Sequence, residues 1–94
     1  MIAEVQCIPS PVGTPEDTYR YVDAAIAAIA ATGLPYQVSA LGTTVEGDPD
    51  AVWRALRAAH EASAAHADAV VTVVKIFSAA SDEPSVDDLV RKHR

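Results

Sequence analysis

The sequence predicts one α+β domain of βαββαβ order, in which a four-stranded antiparallel sheet carries two helices on a single face. Three observations predict it. Four stretches alternate or run apolar at strand length, and two helix-start signals, Thr14-Pro15-Glu16-Asp17 and Gly47-Asp48-Pro49-Asp50, fall between them. Leu41-Gly42 joins the middle two stretches as the turn of a hairpin. Half of the 94 residues are apolar and 21% are charged, a globular balance that suffices for one core and is short for two.

Ile2–Pro9 reads as the first strand, with Ala3, Val5 and Cys7 toward the helices and Ile2, Glu4, Gln6 and Ile8 on the other face. Ser10-Pro11-Val12-Gly13 breaks that pattern. The first helix is expected over residues 15–32, with Thr14 as N-cap and Pro15 in the first turn. Val22, Ile26 and Ile29 form its stripe, Ala25 and Ala30 fill it, and Gly33 supplies the left-handed residue that ends it. Tyr36–Ala40 and Thr43–Glu46 are the second and third strands; in the third, Thr44 and Glu46 share a face opposite Thr43 and Val45. The second helix opens at Asp48-Pro49 and carries Val52, Leu56, Ala59 and Ser63 at helical spacing up to about residue 66. Ala69–Phe77, a β-branched run, is the fourth strand. From about residue 78 the tail is polar, with Ser85 placed to cap a short helix. Two strand-helix-strand units interleaved in this way give the ferredoxin-like arrangement over residues 1–94.

Composition narrows the function. Seven basic against thirteen acidic residues give a net charge of −6, the wrong sign for collecting phosphates, so nucleic acid is not an expected partner. An RNA-reading sheet would also present aromatic side chains, and this one has almost none. Cys7 is the only cysteine, which rules out an internal disulfide and a Cys-x-x-Cys metal loop and points to a reducing cytoplasm. No apolar run is long enough to cross a bilayer. Ser10-Pro11-Val12-Gly13 offers neither a base nor a row of amides for phosphate chemistry. With no catalytic constellation in view, the chain reads as a binding protein and not an enzyme, without a resident metal or cofactor.

Several stretches together resemble the small ferredoxin-like thiamine-binding proteins. They are Ile2-Ala3-Glu4-Val5 leading to Ile8-Pro9; Gly33-Leu34-Pro35-Tyr36 running through Leu41-Gly42-Thr43-Thr44-Val45-Glu46-Gly47; Ala59-His60-Glu61; and Val74-Lys75-Ile76. The likeness extends to Phe77, while the tail and the alanine-rich first helix match no pattern of that family. The resemblance implies binding of thiamine or its hydroxymethylpyrimidine half, and assembly into homodimers or homotetramers through the sheets.

Such a ligand combines a permanent cation, a donating amine and accepting ring nitrogens, so its site needs a carboxylate, a hydroxyl or amide, and a flat apolar surface. Glu46 is the expected acceptor for the amine, against the alternative of a solvated or interface-paired strand-end glutamate. Thr43 and Thr44 are candidate hydroxyls, although threonine is common in strands. Gln6 and Ser39 are polar groups in apolar strands that need a partner, from a ligand or a neighbouring subunit. Trp53 could stack on a pyrimidine, with Arg57 and His60 on the same side of the second helix; the plainer reading is a core-edge tryptophan and a surface histidine. Lys75 is expected to pair with Glu4 or Glu46 across the sheet or to reach solvent. The rival function is a regulatory or structural oligomer that binds another small metabolite or a protein partner. A self-complementary interface would satisfy the polar groups of the open face within the protein, whereas a ligand site would leave some unpaired in a pocket.

Overall fold

In the computed structural model, which describes residues 1–94, strand Ile2–Ser10 (β1) leads to helix Arg20–Ala30 (α1). The hairpin Tyr36–Ser39 (β2) and Gly42–Glu46 (β3) comes next, then helix Pro49–Ala64 (α2) and strand Ala69–Phe77 (β4). A short helix, Val86–Val90 (α3), and a closing turn of 3-10 helix, Arg91–His93, complete the chain. The sheet has the order β2-β3-β1-β4 and is antiparallel throughout.

Register fixes the faces. Ala3 lies opposite Val45 and Ile76, and Val5 opposite Thr43 and Val74, so these residues point toward α1 and α2. Glu4 lies opposite Thr44 and Lys75, and Gln37 opposite Thr44, on the face that α1 and α2 leave open. One core forms where the two helices meet the centre of the sheet: Ala3, Val5, Ala25, Ile29, Val45, Val52, Ala55, Leu56 and Ala59 are all buried. Burial of each large aliphatic side chain among them contributes about 1.5–3 kcal/mol. The small residues of α1 and α2, Ala25, Ala55 and Ala59, allow the helices to approach each other closely. Ser63 completes the α2 stripe, and its hydroxyl is buried without a hydrogen-bond partner.

Three helix boundaries differ from the sequence pattern. The first helix starts at Arg20, not at residue 15. Thr14 does cap, but it caps a single turn: its Oγ1 accepts the Asp17 N–H at 3.0 Å, and the Thr14 and Asp17 amides and carbonyls bond one another. Such a local bond competes with helix propagation. Gly13 lies so close to this turn that a Cβ there would clash with the Asp17 and Thr18 carbonyl oxygens, which requires glycine. The helix then ends at Ala30, leaving Ala30 exposed rather than in the stripe, and Gly33 takes the left-handed conformation at φ 77°. The second helix ends at Ala64, not near residue 66; it opens as expected, with the Asp48 carboxylate accepting the Ala51 N–H at 3.2 Å.

The tail folds back onto the open face. Ser85 and Asp88 form a reciprocal capping box at the start of α3. No helix is long and apolar enough to cross a membrane.

Candidate functional site

Strand lengths create an opening beside β1. β1 and β4 are nine residues long and pair along their whole length, but β2 and β3 have only four and five residues. β3 therefore pairs with β1 over Ile2–Val5 alone. From Gln6 onward β1 has β4 on one side and no strand on the other. The hairpin turn and the first half of α1 border this gap, leaving a cavity of about 450 Å3.

The cavity is apolar with a few placed polar groups. Val5, Ile26 and Ile29 belong to its walls, and Val12, Tyr19 and Leu41 are exposed residues around it. Val22 and Ile26, expected in the core stripe, are only half-buried because they face this space. Of the residues expected to bind, Gln6, Ser39 and Thr43 come together here. Thr43 is 4% exposed and lines the cavity, but the side-chain atom buried without a hydrogen-bond partner is Ser63 Oγ, not its hydroxyl.

Asp23 and Tyr19 also border the cavity, and the strand and helix patterns single out neither. The one signal for Asp23 is an acid three residues before Ile26 in an otherwise apolar helix. Cys7 lines the same space. Burial pushes its thiol pKa up, with a smaller opposing effect from the Thr72 hydroxyl, which donates to Sγ at 3.8 Å. Thr72 Oγ1 in turn lies 2.6 Å from His60 Nδ1.

Thr44 and Glu46 lie elsewhere. They line a smaller pocket of about 160 Å3 on the open face, together with Gln37, Val86, Asp87 and Arg94. The tail engages two of these groups: Glu46 Oε2 accepts the Val86 N–H at 2.9 Å, and Gln37 Oε1 accepts from Arg94 Nη2 at 2.8 Å. Arg94 Nη1 also donates to Asp87 Oδ1 at 2.7 Å. Lys75 reaches Glu4 at 3.7 Å across the same face, an exposed pair worth little by itself.

Trp53 and His60 are on α2, away from both pockets. Trp53 is 55% exposed, and Arg57 between them pairs with Glu61 at 2.8 Å. No three histidine, cysteine or acidic side chains converge in the way a metal ion would need.

A family model described as thiamine-binding protein matches residues 3–94. A UPF0045 protein of Synechocystis sp. is 35% identical over 78 residues, which are 83% of this chain but 64% of that protein, so the chain spans less than two thirds of this relative. A UPF0045 protein of Methanocaldococcus jannaschii is 31% identical over 87 residues, 93% of this chain and 85% of the relative. Its crystal structure superposes with a TM-score of 0.82, covering 98% of this chain and 93% of the other at 29% identity. A domain of unknown function from Bacillus cereus, 31% identical, superposes with a TM-score of 0.85 over 99% of this chain and 88% of its own.

Proposed function

Because the chain belongs to the thiamine-binding protein family, we propose that it binds thiamine, or the hydroxymethylpyrimidine half of thiamine, reversibly in the cavity beside α1. The observation that carries this reading is an apolar cavity of about 450 Å3 with the Thr43 side chain, 4% exposed, in its wall. That volume falls inside the range of about 300–1,000 Å3 typical of small-molecule sites. In this arrangement Thr43 bonds a ring nitrogen, Val5, Ile26 and Ile29 flank the ring, and Gln6 and Ser39 are polar partners at the margin. Asp23 supplies the negative charge opposite the ligand's permanent cation, while the carboxylate of Glu46, which the sequence pattern suggested as acceptor for the amine, is engaged by Val86.

Binding is proposed without covalent chemistry. Of the side chains around the cavity the thiol is the strongest potential nucleophile, and burial disfavours its thiolate. The same reading places the protein in the cytoplasm as a homodimer or homotetramer. Support for self-association comes from the open face, where Ile8, Val71, Val73 and Phe77 are 44%, 61%, 46% and 46% exposed, an apolar band along β1 and the edge strand β4.

Calorimetric titration with thiamine and with hydroxymethylpyrimidine tests the proposal. A saturable heat with either ligand is expected; no heat with both at millimolar concentration overturns it and returns the chain to the structural-oligomer reading.

A further inference from the structure

The charge around the cavity is one-sided. Asp23 is its only acid, and no lysine, arginine or histidine lines it. The acids that form ion pairs are Glu4, Glu61, Glu83, Asp87 and Asp88, so the Asp23 carboxylate stands unpaired. A helix start bordering a cavity commonly receives an anion through free amides. Here three of the first four amides of α1 are already used: Arg20 N–H donates to Asp17, Tyr21 N–H to Val12 and Asp23 N–H to Tyr19, each at the backbone carbonyl. Pro9, in the wall, and Pro11, just after β1, have no N–H to give. The hydroxyls and amide of this lining come without a cation to balance a phosphate's charge, and the whole chain repels one at a net charge of −6.

We infer that the cavity takes the unphosphorylated, cationic or neutral form of its heteroaromatic ligand and rejects phosphate esters of the same molecule, with Asp23 as the residue that sets this preference. The inference rests on the pyrimidine-binding reading above. It names a specificity by charge, achieved as much by what the lining lacks as by what it offers.

Calorimetric titrations of the full chain with hydroxymethylpyrimidine, thiamine and thiamine diphosphate, for the wild type and Asp23→Asn at low and high salt, test it. Thiamine diphosphate is expected to bind at least about tenfold more weakly than thiamine at low salt, with the difference shrinking as salt rises. Asp23→Asn is expected to weaken thiamine by about two- to fivefold, the scale of one exposed charge pair, and to leave the neutral pyrimidine within about twofold. A melting curve verifies that the variant is folded. Diphosphate binding as tight as thiamine binding overturns the charge preference and leaves the proposed function standing. Equal weakening of the neutral and cationic ligands by Asp23→Asn removes Asp23 from the role. Failure of all three ligands to bind the wild type instead overturns the pyrimidine-binding reading and this inference with it.

Discussion

Thr43 faces the helices from the third strand, where every close neighbour in register is apolar. Val5 lies directly opposite and Val45 two residues on, each 4% exposed or less. A hydroxyl there is set among apolar neighbours, with the cavity as its access to water or to a guest. Thr43→Val should therefore leave the melting temperature of the free protein unchanged or raised, while weakening thiamine binding by about 0.5–1.5 kcal/mol in calorimetry. Lower stability with unchanged affinity would make the hydroxyl structural. Cys7 probes the same space independently. With its thiol pKa pushed up by burial, iodoacetamide should modify it slowly at neutral pH, and saturating thiamine should slow it further. Mass spectrometry measures this directly, and equal rates with and without ligand would place the ligand elsewhere. At this scale the alternation of strands made Gln6 and Ser39 legible as polar groups needing partners and Thr43 as a candidate hydroxyl on the helix-facing side, because period two is a local property. Glu46 shows where locality ends: the same alternation paired it with Thr44 on one face, but its hydrogen-bond partner, Val86, is forty residues away in a tail with no strand pattern.

Elements carry their own signals at their ends. Asp48 and Ser85 cap the helices their sequences announce, whereas Thr14 caps only a turn, and α1 starts later. A capping residue states that the chain turns there; whether a helix continues from the turn depends on tertiary packing. The gap beside β1 was hidden for a related reason. It arises from a long strand next to a short hairpin, and strand boundaries are what alternation defines least sharply. The α3 capping box makes a prediction in acid. The Ser85 backbone N–H and hydroxyl hold the Asp88 pKa below its ordinary 3.8, so the carboxylate's contribution to folding is complete above that value and lost as pH falls through the depressed one. Glu83, lowered by the Met1 amine at 2.7 Å, acts in the same direction. On acidification from neutral pH to about pH 3, residues 83–90 should lose amide-exchange protection before β1 and α2 do. Simultaneous loss across the whole chain would contradict a tail held by these carboxylates.

Across the whole molecule, the open sheet face divides in two. The β2–β3 half lies against the tail, with Gln37 and Glu46 satisfied by Arg94 and Val86. The β1–β4 half keeps its apolar band, ending in an edge strand with no neighbour. Association of copies through this band predicts sedimentation as a dimer or tetramer at micromolar concentration. Val73→Lys, which places a cation at mid-strand beside Lys75, should shift the protein toward monomer with little change in its fold. A monomeric wild type would contradict the assembly. The cavity lies at the other margin of β1, where the hairpin stops short, and Ile8 borders both it and the apolar band. The most direct test of that arrangement is chemical-shift mapping of backbone amides during titration with thiamine. Saturable shifts concentrated at residues 5–9, 22–29 and 39–43, with residues 44–46 and 86–94 unmoved, are the predicted result; shifts centred on Glu46 and Val86, or none at saturating ligand, would contradict it.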